Sequence, residues 1–135
     1  MNQGADIRGM SSRSGLVLVV EDERNVREPL AHLLQLRDYE VVTVDSVDAA
    51  LQVLDAKHPD AAIVDLHLRA GSGHDVVKHV PGSVPVIIFS GAANASGDLE
   101  RQRPQTRFVE KPCSLTWLID TLAEMLKDAA PLACA

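Results

Sequence analysis

The chain has 135 residues, enough for one hydrophobic core and too few for two, and its 46% apolar and 24% charged residues are an ordinary globular mix. Only 3% are aromatic, so Val, Leu, Ile and Ala must build the core. A formal charge of −6 speaks against a nucleic-acid surface, for which Arg101, Arg103 and Arg107 are the only candidates, and no apolar run is long enough to span a bilayer.

Residues 1–14 are polar and rich in Gly and Ser, without the apolar centre of a signal peptide, and read as a disordered leader. Met10 is an alternative start. Leu16 to Val20 is a continuous apolar run, as expected of a strand covered on both faces. A helix over Arg24 to Leu36 follows, with Val26, Leu30, Leu33, Leu34 and Arg37 at the spacing of one buried face. Pro29 lies in its early turns and is expected to delay its start.

Tyr39 to Val44 is a second strand. Ser46 caps a helix running through Lys57, with Val47, Ala50, Leu51 and Leu54 inward, and Pro59-Asp60 stops it. The third strand is Ala61 to Leu66. Arg69 to His74 is a loop, a short helix covers His74 to Val80, and Pro81-Gly82 breaks it. Pro85 opens a fourth strand, Val86 to Ser90. Gly91 to Arg107 carries little periodicity beyond one turn near Asp98 to Gln102. A fifth strand spans Arg107 to Glu110. Ser114 caps a last helix lined by Leu115, Leu118, Ile119, Leu122, Met125 and Leu126. The ordered domain is therefore 15–127, with a flexible tail over 128–135.

Alternation of strands and helices with short loops means a parallel sheet with helices on both faces: an α/β, doubly wound, flavodoxin-like sandwich of five strands. Ligands bind such sheets at the carboxyl ends of the strands. That edge collects Glu21, Asp22 and Glu23 after strand one, Asp65 at the end of strand three, Ser90 at the end of strand four and Lys111 after strand five. Two carboxylates about 4 Å apart repel by about 4 kcal/mol at an effective dielectric of ~20, so the cluster needs a cation or a raised pKa. Mg²⁺ suits it, because this ion takes oxygen ligands from one or two carboxylates and a phosphate. Asp65 is suited to attack a phosphoryl group as a nucleophile, and Lys111 to pair with Asp65 before reaction and with a phosphoryl oxygen afterwards. Read singly, each residue has a plainer role: an acidic turn, a loop-fixing Asp, a solvated Lys, a Ser-Gly turn.

Together they resemble the receiver (response-regulator) domain of two-component signalling, through VLVVEDE at Val17 to Glu23, IVDLHL at Ile63 to Leu68 with Gly73 beyond, VIIFSG at Val86 to Gly91 and FVEKP at Phe108 to Pro112. The resemblance covers about Leu16 to Leu126. It implies strand order 2-1-3-4-5 and Asp65 as phosphoacceptor. Mg²⁺ would be held directly by Asp22 and Asp65, by Glu21 through water, and by the backbone carbonyl of His67. Lys111 would bind phosphate, ahead of a cis bond to Pro112. Ser90 and Phe108 would be the switch pair, with Phe108 lacking the hydroxyl of the Tyr often found there.

Two departures stand out. Leu68-Arg69 replaces the usual Met-Pro pair, and the Ser90 to Lys111 region lacks the usual Ala-Gly-Ala pattern. Both look like an alphaproteobacterial subgroup of stand-alone receivers in which helix 4 is short or missing.

The function implied is a signalling phosphoacceptor rather than an enzyme with an external substrate. It would be cytoplasmic, a monomer or weak dimer, away from membrane and nucleic acid. A histidine kinase or histidine phosphotransfer protein would charge it, and an unnamed protein would read it. The alternative is a pseudo-receiver acting as a phosphorylation-independent interaction module. A flavin or nucleotide enzyme is disfavoured, because the acidic loop after strand one repels phosphate. His32, His58, His74 and His79 read as ordinary surface or core residues. His67, two residues after Asp65, is placed to steer a hydrolytic water. Cys113 and Cys134 offer neither a disulfide framework nor a zinc spacing, and Cys113 reads as a packing residue.

Overall fold

A computed structural model describes residues 15–91 and 99–129. Its elements are β1 (Gly15–Val20), α1 (Arg24–Leu36), β2 (Tyr39–Val44), α2 (Val47–Ala56), β3 (Ala61–Val64), α3 (Gly73–His79), β4 (Val86–Ser90), α4 (Leu99–Gln102), β5 (Thr106–Glu110) and α5 (Leu115–Ala129). The strands form one parallel sheet in the order β2-β1-β3-β4-β5. This is the doubly wound arrangement expected, with the chain order reversing between β1 and β3.

Side chains alternate across a strand, so each strand feeds two cores. Val17, Val19, Ile63, Ile87, Phe89 and Val109 face α1 and α5, where Leu30, Leu34, Leu118, Ile119 and Leu122 cover them. Leu18, Val20, Ala62, Val64, Val86 and Ile88 face the other way, beneath Val47, Ala50, Val76, Val77 and Leu99. Burial on both faces is why β1, β3 and β4 read as unbroken apolar runs. Two expected caps form: Ser46 Oγ accepts from the Ala49 N–H at 3.2 Å, and Ser114 Oγ from the Trp117 N–H at 3.2 Å.

Several expectations need correction. Strand β3 stops at Val64, so Asp65 and Leu66 lie just beyond it. Strand β5 opens at Thr106, and α3 spans Gly73 to His79 rather than His74 to Val80. Helix α2 ends at Ala56, and Lys57 is its cap. Pro29 does not delay α1, which begins five residues earlier at Arg24. Arg37 caps that helix on the exposed side and pairs with Asp120 at 2.8 Å instead of joining the buried face. The expected tail starts too early, because α5 continues through Ala129. The expected leader, residues 92–98 and the rest of the tail lie outside the described residues. Helix 4 is short, a single turn of four residues. Among the described residues no helix is long and apolar enough to cross a membrane.

Arg103 is not part of a basic surface patch. It is buried, and its guanidinium donates to the carbonyls of Val80 at 2.7 Å, Pro81 at 3.0 Å and Val84 at 3.2 Å and to Thr106 Oγ1 at 3.2 Å. These bonds tie the start of β5 to the loop between α3 and β4. Burial pulls the Arg103 pKa below its ordinary value.

Candidate functional site

The sheet extends its ladder into the loops that carry the charged residues. Past the end of β1, the Glu21 N–H donates to the Val44 carbonyl at 3.0 Å, and the Asp65 N–H donates to the Val20 carbonyl at 2.9 Å. The Lys111 N–H donates to the Ser90 carbonyl at 2.9 Å, and the Lys111–Pro112 peptide is cis. Side chains far apart in sequence are thus anchored by backbone bonds to one edge.

Glu21, Asp22 and Asp65 each offer a carboxylate oxygen, and these atoms lie within 4.8 Å of one another. Lys111 Nζ stands 2.8 Å from Glu21 Oε1 and 3.1 Å from Asp65 Oδ2, with Glu23 Oε1 at 3.6 Å. The second Asp65 oxygen, Oδ1, accepts from the His67 N–H at 3.0 Å. Glu21 Oε2 accepts from the Glu23 N–H at 3.2 Å, and Arg27 donates to the Glu21 carbonyl at 2.9 Å. Asp22 Oδ2 accepts from the Arg69 N–H at 2.9 Å.

The electrostatics follow from burial. Loss of water pushes the Glu21 carboxyl above its ordinary value; the Lys111 hydrogen bond and charge and the Glu23 N–H pull it back, and the Asp65 charge adds to the rise. Burial would lower Lys111, but the hydrogen bonds and charges of Glu21 and Asp65 outweigh it and hold the ammonium above its ordinary value. Lys111 is therefore a fixed cation facing two carboxylates.

Ser90 ends β4, which lies beside β3 in the sheet. It is fully buried, and its hydroxyl has no hydrogen-bond partner among the described residues. A buried hydroxyl without a partner costs free energy unless a ligand completes it. Phe108 is half-buried against the α3 and α4 side, with its N–H 3.3 Å from Glu100 Oε2. It pairs in register with Ile88, two residues before the Ser90–Glu110 pair, so Phe108 and Ser90 share one face of the sheet. The His67 imidazole is exposed, and its backbone bridges to Ser72.

Sequence reading missed the roles of Phe89, Arg27 and Arg69, and noted Gly73 only as part of the family resemblance. Phe89 lies beneath the Lys111 ammonium, 5.4 Å from ring centroid to Nζ. Arg27 and Arg69 bind the acidic loop. Gly73 packs against the Asp65 backbone. Beside the site, Asn25, Val26, Phe89, Lys111, Pro112, Cys113 and Leu115 line a cleft of about 210 Å³.

The family profile described as the response regulator receiver domain matches residues 17–123. The chain belongs to this family. The Mycobacterium tuberculosis sensory transduction protein RegX3 is 42% identical to this receiver over 76 residues, covering 55% of the chain and 34% of RegX3. The Escherichia coli phosphate regulon transcriptional regulatory protein PhoB is 24% identical over 123 residues, covering 87% of the chain and 54% of PhoB. This receiver thus spans between a third and a little over half of those relatives. Among solved structures, the Thermotoga maritima response regulator TrrA in complex with Mg²⁺–BeF is similar, with a TM-score of 0.71 and 25% identity, covering 82% of this chain and 97% of the other. The chain is accordingly a signal-transduction module of two-component type. Its donor set at the acidic edge is all oxygen and carries three carboxylates, the chemistry that suits a hard divalent cation.

Proposed function

We propose that this receiver is a phosphoacceptor switch, charged on Asp65 by a histidine kinase or histidine phosphotransfer protein in a Mg²⁺-dependent reaction. One observation carries the reading: Asp65 Oδ2 lies 3.1 Å from Lys111 Nζ within a cluster of three carboxylates. A nucleophile, a fixed cation and a metal-compatible donor set thus stand within one shallow site. The unpartnered hydroxyl of Ser90 supports it, since phosphoryl oxygens are acceptors. The Mg²⁺–BeF complex of the similar TrrA makes the same ligand chemistry reasonable here.

In this reading Asp22, Asp65 and the backbone carbonyl of His67 would hold Mg²⁺ directly, and Glu21 would hold it through water. When bound, it supplies positive charge against the oxygens of the incoming group. Asp65 attacks the phosphorus in line, and the donor imidazole leaves. Lys111 moves its hydrogen bond from Asp65 to a phosphoryl oxygen. Ser90 donates its hydroxyl to another, and Phe108, on the same sheet face, repacks to shift the partner-binding surface. Phe108 has no hydroxyl to anchor, so its movement is one of packing alone. The chain promotes only its own phosphorylation and dephosphorylation, and it acts in the cytoplasm through protein contacts.

Acetyl phosphate with Mg²⁺ tests this directly. Intact-mass measurement should show one added phosphoryl group on the wild type and none on Asp65→Asn. Absence of the adduct in the wild type, from acetyl phosphate and from cognate kinases alike, would instead support an interaction module that works without phosphorylation.

A further inference from the structure

Asp22 is held by one neighbour in two ways. Its Oδ2 accepts the Arg69 backbone N–H at 2.9 Å, and the Arg69 Nε stands 3.7 Å from the same oxygen. The Asp22 side chain is 11% exposed and that of Arg69 is 84% exposed, so the carboxylate is set by the fold while the guanidinium lies on its solvent side. The ion pairs of Lys111 are with Glu21, Glu23 and Asp65. The acidic cluster is therefore neutralised from two directions, with Lys111 on the inside and Arg69 at the rim.

We propose that Arg69 is a built-in cationic competitor for the divalent ion at Asp22, and that its charge sets how tightly the site holds metal. The proposal rests on the metal-site reading given above. The Arg69 guanidinium is a cation on the open side of Asp22, where it competes with an incoming ion. Its exposure lets it swing into solvent at small cost, so it tunes the site without blocking it. The backbone N–H is independent of the side chain. Arg69→Ala therefore removes the competitor and leaves Asp22 oriented.

An exposed pair of this kind changes an equilibrium constant by about two- to fivefold. The test uses the full chain, with Mn²⁺ titrated by loss of the free-ion electron paramagnetic resonance signal and Mg²⁺ measured by competition. Arg69→Ala and Arg69→Gln should each bind metal about two- to fivefold more tightly than the wild type. Arg69→Lys should stay close to the wild type, and the gap should narrow in roughly 0.5 M salt. The rise in melting temperature on adding Mg²⁺ should be larger for Arg69→Ala. Equal or weaker binding by Arg69→Ala and Arg69→Gln, with the wild type binding normally, overturns the role of Arg69 and leaves the metal site standing. Tighter binding by Arg69→Lys to the same degree as Arg69→Ala would remove charge as the cause. No metal binding by any variant, the wild type included, overturns both readings.

Discussion

Gly73 lies against the main chain of Asp65 so closely that it has no room for a side chain. A Cβ built on Gly73 would meet the Asp65 carbonyl oxygen, with the Leu66 Cα at 2.8 Å and the Asp65 carbonyl carbon at 2.9 Å. These are backbone atoms held by the sheet, and they cannot turn aside as a flexible side chain would. The Gly73 N–H also donates to the Leu66 carbonyl at 3.1 Å, so the first residue of α3 clamps the loop that presents Asp65. Gly73→Ala should destabilise the protein by about 3 kcal/mol, the upper end for overpacking. A urea melt would show this as a lower midpoint with an unchanged slope. The variant should also lose phosphorylation under conditions where it remains folded.

Arg103 predicts a loss that a conservative change cannot repair. Four hydrogen bonds run from its buried guanidinium to Thr106 and to the carbonyls of Val80, Pro81 and Val84. Arg103→Ala should cost about 3 kcal/mol, since hydrogen bonds from a charged donor contribute about 1.5–3 kcal/mol and their partners would be left buried. Arg103→Lys should recover less than half, because a single ammonium cannot span the same fan of acceptors. Denaturant midpoints of the two variants decide it.

Glu21 should oppose stability in the service of its site. Burial first, and the Asp65 charge last, raise its folded pKa above the ordinary 4.5, although Lys111 acts against them. A carboxyl with a raised folded pKa favours folding while protonated, and that advantage is lost as pH rises through the folded value. Glu21→Gln, without added metal, should therefore stabilise the protein at neutral pH, on the order of 1 kcal/mol. The gain should vanish below pH 4.5, where the wild-type carboxyl is itself neutral. The same variant should bind Mg²⁺ more weakly. Melting curves at several pH values, with and without Mg²⁺, would show the two effects with opposite sign.

Lys111 behaves in the complementary way at the alkaline end. Its folded pKa is raised above the ordinary 10.5, so its stabilisation is fully present below that pH and fades as pH climbs through the folded value. Lys111→Met should cost about 2 kcal/mol at neutral pH, a partly exposed version of breaking a buried pair. The cost should shrink in acid, as Glu21, whose carboxyl burial holds above its ordinary value, takes up a proton. A pH-independent cost would show that lost packing against Phe89, not charge, dominates.

Cys113 should be a sluggish thiol. Burial pushes its pKa above the ordinary value, and its Sγ donates to the Ser114 carbonyl at 3.4 Å. Alkylation by iodoacetamide near pH 8, followed by peptide mapping, should run several-fold slower than for a free small-molecule thiol.

Much of the fold was legible because the signals were local. Unbroken apolar runs marked β1, β3 and β4, and Ser46 and Ser114 announced the helices they cap. The acidic edge was legible for a similar reason, since each charged residue directly follows a strand and parallel strands must end together. Other features depend on contacts that no local pattern encodes. Arg37 fits the apolar spacing of α1 but finds Asp120 on a helix more than eighty residues away. Arg103 reads as one surface cation among three until the loop after α3 closes over it. Arg69 looks like loop filler, and only the folded β3–α3 loop brings it to Asp22. The close approach of Gly73 to Asp65 likewise needs the loop to turn back on itself, which composition alone does not reveal.

The five strands also act as a partition. The apolar cleft, with Phe89, Val26 and Leu115 in its wall, opens on the α1 and α5 side, whereas Ser90 and Phe108 lie on the opposite side with Leu99. In the proposed switch, a donor gripping the first side would leave the second uncovered, so that supply of the signal and its readout would occupy separate ground.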